Sequence, residues 1–238
     1  MRKRLVDVCK GFAPPAELAK HFDNRREALK KIVSSHGDAG LYYVTFLDNH
    51  DLNERFHQPQ FSDQTKLALT CLMTLQGISC IYYGTEQGLD GRGDRREFVR
   101  EALWGNANAF SVAHPLFTYI KELSQLYNDQ PALRYGRQYF RKCSGNGIDF
   151  DYSPFKGGVI AYSRILNDTE ILVIANTNTL QTVVVNVVVD SHINLIGKNW
   201  NILFPLNRQG VAPKSCIQQG QFRTTEITLS AMEVLVLG

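Results

Sequence analysis

The chain has 238 residues and a formal net charge of +3, with 44% hydrophobic and 21% charged residues. This composition supports a packed core and excludes a disordered chain. The small net charge gives no reason to expect a nucleic-acid partner. The longest apolar runs are far too short to cross a bilayer, so no membrane association is expected.

The cysteines and the first residues bear on the compartment. The five cysteines are widely scattered and form no CxxC pair, which favours reduced thiols over a disulfide framework or a zinc site. The chain begins with a basic segment, but Asp7, Lys10 and Gly11 interrupt the apolar stretch that a signal peptide requires. We therefore expect a cytoplasmic protein.

The pattern of the first half predicts alternating helices and strands. A short helix is predicted at residues 15–22. Asn24 and Glu27 have the spacing of a capping box for a second helix at about residues 25–35. The aromatic and β-branched run at residues 41–47 then predicts a buried strand.

A third helix and a second strand follow the same pattern. Ser62 or Asp63 can cap the helix, and its apolar face has i, i+3, i+4, i+7 spacing: Ala68, Cys71, Leu72 and Leu75. A second buried strand is predicted at residues 78–83, and Pro115 begins another helix. This order, with continuously apolar strands, is typical of a parallel sheet covered by helices.

The pattern changes near Pro131, where the chain becomes rich in strands separated by turn residues. Candidate strands lie at residues 159–165, 170–176, 181–189, 199–204, 226–229 and 233–237. Several short strands at this spacing indicate an antiparallel sandwich or barrel. We therefore predict two domains, residues 1–130 and 131–238.

The first strand is followed at once by Asp48, Asn49, His50 and Asp51. A complete (β/α)₈ barrel takes about 250 residues, so the first domain can hold only part of one. The length of the first domain is equally compatible with a partial barrel and with an open doubly wound sheet. In a barrel the loops at the carboxyl ends of the strands build the active site, which makes this polar cluster a candidate site.

The stretch Phe46-Leu47-Asp48-Asn49-His50-Asp51, with Arg55 close behind, resembles the signature at the end of the seventh barrel strand in the α-amylase family of glycoside hydrolases. Residues 77–87 resemble the eighth strand of that family. The loop at residues 95–105 and the segment at 116–136 are similar to the connection that follows, the last barrel helix and the exit into a C-terminal β domain.

The resemblance implies an α/β plus all-β fold class. Residues 1–130 would be the C-terminal βα units of a partial (β/α)₈ (TIM) barrel, and residues 131–238 an antiparallel β-sandwich. In this family the nucleophilic Asp and the acid/base Glu follow the fourth and fifth strands. No match to either motif precedes Thr45, so we expect a barrel that is incomplete on its N-terminal side.

Retaining glycosidases use one carboxylate as nucleophile and another as acid/base, and this family adds a third that holds sugar hydroxyls in the transition state. The resemblance assigns that third role to Asp51. Candidate substrate-binding residues are His50, Asn49, Arg55 and Glu86. The alternatives are a turn cap for Asp51, a packed structural histidine for His50, a loop-holding role for Asn49 and a surface salt bridge for Arg55.

The resemblance implies that the parent protein hydrolyses or transfers α-glucosidic bonds of starch-like α-glucans or maltooligosaccharides. It implies no cofactor and no metal in this chain, since the family's calcium ligands lie upstream and calcium would belong to a full-length parent. One alternative is a non-catalytic truncated module with at most weak carbohydrate binding. Another is one half of a split enzyme with a complementing N-terminal half. Open strand edges also predict self-association.

Overall fold

The structure, a computed structural model, describes residues 1–32, 37–107 and 109–238. In these ranges the α-helices are α1 (Arg2–Cys9), α2 (Pro15–Leu29), α3 (Ser62–Thr74), α4 (Pro115–Asp129) and α5 (Pro131–Tyr135). Short 3₁₀ helices lie at Ala39–Tyr42, Pro59–Phe61, Thr85–Gln87 and Arg96–Val99. Within the same ranges, no helix is both long and apolar enough to span a membrane.

Helix α2 corrects the prediction of two helices. It runs without a break from Pro15 to Leu29, so Asn24 and Glu27 lie inside it and form no capping box. The helix is held by its buried side, which includes Leu18 and Phe22, because burial against the core outweighs the weak helix propensity of its polar residues. Residues 30–32 of the predicted second helix are not helical, and residues 33–35 lie outside the described residues.

Helix α3 begins and packs as predicted, but its cap differs. Neither Ser62 nor Asp63 caps it, because the 3₁₀ turn Pro59–Phe61 runs directly into the helix and Phe61 occupies the N-cap position. The predicted apolar face is buried. Helix α4 begins at the predicted Pro115, and its first turn is capped by the His114 side chain, whose Nδ1 accepts a hydrogen bond from Leu116 N at 3.3 Å.

Strands β1 (Val44–Phe46) and β2 (Ile78–Cys80) pair in parallel. Both are shorter than predicted. Part of the first predicted strand instead forms the 3₁₀ helix Ala39–Tyr42. The prediction that they are buried is wrong, because Val44 and Ile78 are about half exposed at 54% and 46%. Helix α3 packs beside β2, where Ser79 Oγ donates to the Leu72 carbonyl at 2.8 Å.

The second half contains two antiparallel sheets. The strands are β3 (Arg137–Phe140), β4 (Cys143–Ser144), β5 (Val159–Leu166), β6 (Thr169–Asn176), β7 (Val183–Val189), β8 (Ile202–Phe204), β9 (Ile217–Gln219), β10 (Phe222–Leu229) and β11 (Val234–Leu237). One sheet has the order β3-β5-β6-β11-β8 and the other β4-β7-β10-β9. All of the pairings between these strands are antiparallel. Strands β3, β4 and β9 are additions to the predicted set.

The five-stranded sheet is covered on both faces. Its inner face packs against the second sheet through a core of apolar residues: Val159, Ala161, Leu172, Ile174, Val185, Val187, Ile227, Leu229, Leu235 and Leu237. Its outer face joins a second core with the helices of the first half: Leu5, Val8, Leu18, Leu67, Leu123, Ile160, Tyr162, Val173 and Val236. This second core crosses the predicted boundary at residues 130–131.

The end of α3 is bonded to the outer face of the five-stranded sheet. Thr74 Oγ1 lies 2.6 Å from the Tyr162 hydroxyl, and Arg164 Nη1 donates to the Thr74 carbonyl at 2.8 Å. Arg164 also donates from Nε and Nη2 to the Gly136 carbonyl, at 3.2 and 3.0 Å. Burial lowers the pKa of Arg164 to about 10, so the guanidinium remains charged at neutral pH and its hydrogen bonds are charge-assisted.

Candidate functional site

The turn after β1 presents two polar side chains to solvent. Asn49 Oδ1 accepts a hydrogen bond from Asp51 N at 3.0 Å, which closes the turn. Asp51 and His50 keep exposed side chains, 54% and 61% accessible, and His50 Nε2 lies 3.5 Å from Asp51 Oδ2. The alternative of a packed structural histidine is therefore wrong for His50, and the side chain that closes this turn belongs to Asn49.

Two arginines from a later loop lie against the Asp51 carboxylate. Arg96 Nη1 is 3.4 Å and Arg100 Nη2 3.8 Å from Asp51 Oδ1. Arg100 Nε also donates to the His50 carbonyl at 3.0 Å. These exposed pairs contribute little to stability. They do place the loop around the 3₁₀ helix Arg96–Val99 directly beside the turn after β1.

Arg55 is buried and does not reach the surface beside Asp51. Its Nε donates to Glu101 Oε2 at 2.6 Å and its Nη1 to the Tyr83 carbonyl at 2.8 Å. The guanidinium also lies over the Tyr82 ring, 4.6 Å from the centroid. The alternative of a surface salt bridge is wrong for Arg55. Instead, Arg55 connects the segment after β1 to the segment after β2.

Glu101 is a partner that sequence reasoning missed. Its Oε2 accepts from Arg55, and its Oε1 accepts from Gly91 N at 2.8 Å. Arg55 and Glu101 are 46 residues apart, and a pairing at that distance has no periodic signal in the sequence. The feature of the sequence that could have indicated this pairing is the cluster of charged residues in the loop at 95–105.

Glu86 lies in the 3₁₀ helix Thr85–Gln87, directly after β2, and is partly buried. Its neighbour Gln87 is buried and accepts a hydrogen bond from Ser111 N at 2.7 Å. Among the described residues, no hydrogen bond or ion pair joins Glu86 to Asp51. The structure thus brings Asn49, His50 and Asp51 together and leaves Arg55 and Glu86 outside that contact group.

Two further polar residues of this region are buried beneath the turn. Asp48 Oδ2 accepts a hydrogen bond from Phe56 N at 2.7 Å, and burial raises the pKa of the Asp48 carboxyl. His57 Nδ1 lies 3.0 Å from Thr65 Oγ1, and burial lowers the pKa of His57. The Asp48 bond closes the segment after β1 on itself, and the His57 contact fixes that segment onto the start of α3, so we assign both residues structural roles.

The arrangement offers one accessible carboxylate held by cations. Each side chain that the structure places against the Asp51 carboxylate, within the described residues, is basic. Within the described ranges, no group of three or more His, Cys, Asp or Glu side chains could hold a metal ion. The site can accept hydrogen bonds from hydroxyl groups through Asp51 and donate them from His50.

Comparison with solved structures shows the fold class. An Anoxybacillus α-amylase superposes with a TM-score of 0.67 at 22% identity, covering 100% of this chain and 45% of that one. The cyclomaltodextrin glucanotransferase CldA gives a TM-score of 0.69 at 24% identity, covering 99% of this chain and 42% of that one. The chain therefore shares the fold of part of such proteins and spans less than half of their length.

Sequence comparison matches part of the chain to one family. A family model for the catalytic domain of α-amylase matches residues 12–111. The cyclomaltodextrin glucanotransferase of Paenibacillus macerans is 36% identical over 132 residues, which are 52% of this chain and 18% of that protein. An α-amylase of Niallia circulans is 33% identical over 138 residues, which are 57% of this chain and 24% of that protein. Residues 12–111 therefore match the α-amylase family, and the chain spans less than a quarter of the length of these two relatives.

Proposed function

We propose that this chain supplies the C-terminal part of a retaining glycoside hydrolase or transferase that acts on α-glucosidic bonds of starch-like α-glucans. The observation that carries the proposal is the exposed Asp51 carboxylate beside the exposed His50, on the turn at the carboxyl end of a parallel strand pair. Relatives similar in sequence are cyclomaltodextrin glucanotransferases and α-amylases.

In the proposed mechanism, Asp51 accepts hydrogen bonds from sugar hydroxyls next to the bond that breaks. Such bonds lower the barrier when they are stronger in the oxocarbenium-like transition state than in the bound substrate. His50 donates to the same sugar. Arg96 and Arg100 hold the carboxylate in place by charge, since both lie within 4 Å of it.

Two candidate residues act through others in this proposal. Asn49 positions Asp51 by accepting its backbone N–H. Arg55 positions the arginine-bearing loop through Glu101, which directly follows Arg100. Glu86 follows β2 and would line the same end of the strand pair. The nucleophile and the acid/base would come from a part of the protein outside these 238 residues.

A second candidate is one half of an enzyme assembled from two chains. It is favoured by the half-exposed apolar residues Val44 and Ile78 of the parallel pair, which a complementing N-terminal half would cover. An upstream reading frame that carries the nucleophile and acid/base motifs would support this candidate. The absence of such a frame would favour a non-catalytic module with weak carbohydrate binding.

Sugar binding tests the role of Asp51. We expect maltoheptaose to shift backbone amide resonances of residues 49–51 in the 238-residue chain, with weak affinity. Asp51→Asn should weaken binding about tenfold or more, because a hydrogen bond to a charged group contributes about 1.5–3 kcal/mol. Asp94→Asn is the matched control, since Asp94 is exposed in the same half and, among the described residues, forms its ion pair with the adjacent Arg95. Equal affinities for both variants would overturn the proposal.

A hydrolysis assay tests the proposal that the nucleophile and the acid/base lie outside these residues. We expect no detectable hydrolysis of starch or maltooligosaccharides by this chain alone, because loss of residues that act as a catalytic unit removes on the order of 10⁶-fold of rate. Reducing-sugar release measures the outcome. Turnover within about a hundredfold of an ordinary enzyme rate, abolished by Asp51→Asn, would mean that this chain contains its own nucleophile and acid/base.

A further inference from the structure

Two large aromatic side chains stand in solvent on the loop between β2 and α4. Trp104 is 82% exposed and Phe110 57% exposed. Their ring centroids are 5.3 Å apart, with an interplanar angle of 62°. Exposed apolar surface of this kind often marks a binding site, and the T-shaped contact leaves much of the indole surface free.

The backbone of this loop is shaped to present the two rings. Phe110 has a φ of +58°, in the left-handed region that a bulky residue rarely adopts. Such conformations are concentrated at ligand-binding and active sites, where the surrounding structure enforces them. Here the next residue is fixed, because Ser111 N donates to the buried Gln87 side chain at 2.7 Å.

The other side of the loop is attached to the turn that carries Asp51. Arg100 Nε donates to the His50 carbonyl at 3.0 Å, and Arg100 Nη2 lies 3.8 Å from Asp51 Oδ1. The next residue, Glu101, is bonded to the buried Arg55. Trp104 follows three residues later, so the aromatic pair lies on the same loop that contacts the proposed carboxylate site.

We propose that Trp104 and Phe110 form an aromatic subsite that binds a glucosyl unit of an α-linked gluco-oligosaccharide whose chain also reaches Asp51. This inference rests on the proposed function. A pyranose ring has an apolar C–H face and a polar rim. An indole offers a matching flat apolar face with a polar N–H, and the Ser111 hydroxyl beside Phe110 supplies a polar group for the sugar hydroxyls.

The chain offers a direct optical test, because it contains two tryptophans. Trp200 is buried at 7% exposure, whereas Trp104 is exposed. In a Trp200→Phe protein, all tryptophan emission therefore comes from Trp104. We expect maltoheptaose to shift this emission to shorter wavelength and to reduce acrylamide quenching about twofold, as a sugar ring displaces water from the indole.

Side-chain replacement gives the second readout. Trp104→Ala should weaken maltoheptaose binding roughly tenfold and Phe110→Ala roughly threefold, in line with the contribution of aromatic stacking in other sites. Trp104→Tyr should retain most of the affinity. Phe155→Ala is the control, because Phe155 is also an exposed aromatic but lies in the second half. An equal loss in Phe155→Ala would overturn the inference.

The outcomes separate this inference from the proposed function. Binding that depends on Asp51 but leaves Trp104 emission and quenching unchanged would overturn the aromatic subsite alone. Binding that depends on Trp104 but not on Asp51 would support the subsite and overturn the role of the carboxylate. No maltoheptaose binding at millimolar concentration would overturn both.

Discussion

Strands β5 and β6 in the second half and strands β1 and β2 in the first half are all rich in apolar residues, yet they differ in exposure. Most residues of β5 and β6 are buried, because one face packs on the second sheet and the other on the helices. Strands β1 and β2 have three residues each, and Val44 and Ile78 are about half exposed. An apolar strand sequence thus specifies pairing, while burial depends on what other elements cover it.

Placing an aspartate in each region should give the largest difference in the free energy of unfolding. Leu235→Asp places an unpaired charge in the fully buried core between the two sheets, and we expect it to destabilise the chain by about 3–5 kcal/mol. Val44→Asp should change the free energy of unfolding of the monomer by no more than about 0.5 kcal/mol. Urea unfolding of both variants measures the difference. Similar losses would mean that β1 is covered in solution.

The second prediction concerns residues 131–238 expressed alone. We expect a cooperative transition, since two paired sheets enclose their own core. Its urea midpoint should be about 1–2 M lower than in the full chain, because Tyr162, Val173 and Val236 lose the helices that cover them. If the fragment shows no cooperative transition while the full chain does, the two halves form one folding unit.

The third prediction concerns the open strand pair. Exposed strand edges recruit other chains, so we expect a dimer or larger assembly at micromolar concentration, measured by multi-angle light scattering. Val44→Lys with Ile78→Lys should raise the dissociation constant about tenfold, or roughly 1.4 kcal/mol. Val112→Lys is the control, because Val112 is exposed on a loop. A monomeric parent chain would contradict this prediction.

The smallest expected effect is an acid sensitivity of the first half. Burial lowers the pKa of His57 below its usual value of 6.5, and the Asp90 carboxylate opposes this shift while His114 adds to it. The unfolded chain therefore binds a proton more readily than the folded chain, and stability falls as pH drops through about 6.5.

His57→Gln removes the titrating group and should reduce this pH dependence. We would compare urea midpoints at about pH 7.5 and 5.5, on either side of the usual histidine pKa, in the parent chain and the variant. The parent should lose more stability than the variant over this interval. An identical loss in both proteins would show that His57 does not contribute to the acid sensitivity.

Elements with a strong local pattern were predictable from the sequence. Helix α3 and the long strands of the second half lie close to their predicted positions, since their apolar periodicity matches the faces that pack. Strand β3 was missed because Arg137-Gln138-Tyr139-Phe140 has no alternating pattern. The break predicted in α2 was wrong because tertiary packing overrides local polar residues.

The candidate site was predictable only in part, for a physical reason. The adjacency of Asn49, His50 and Asp51 is a property of one turn and is visible in the sequence. The contacts of Asp51 with Arg96 and Arg100 join residues that are far apart along the chain. Such contacts depend on how β1 and β2 pair, which no local pattern specifies.

The bonds of Thr74 to Tyr162 and Arg164 span 88 and 90 residues, and this separation bears on the order of folding. Closing so long a loop costs conformational entropy before the contact is gained. Strands β5 and β6 adjoin in sequence and pair over eight residues. Closing the short turn between them therefore costs far less conformational entropy. We expect this hairpin to form first and to provide the surface on which the N-terminal part of the chain then packs. The N-terminal part would thus fold later although it is synthesised first.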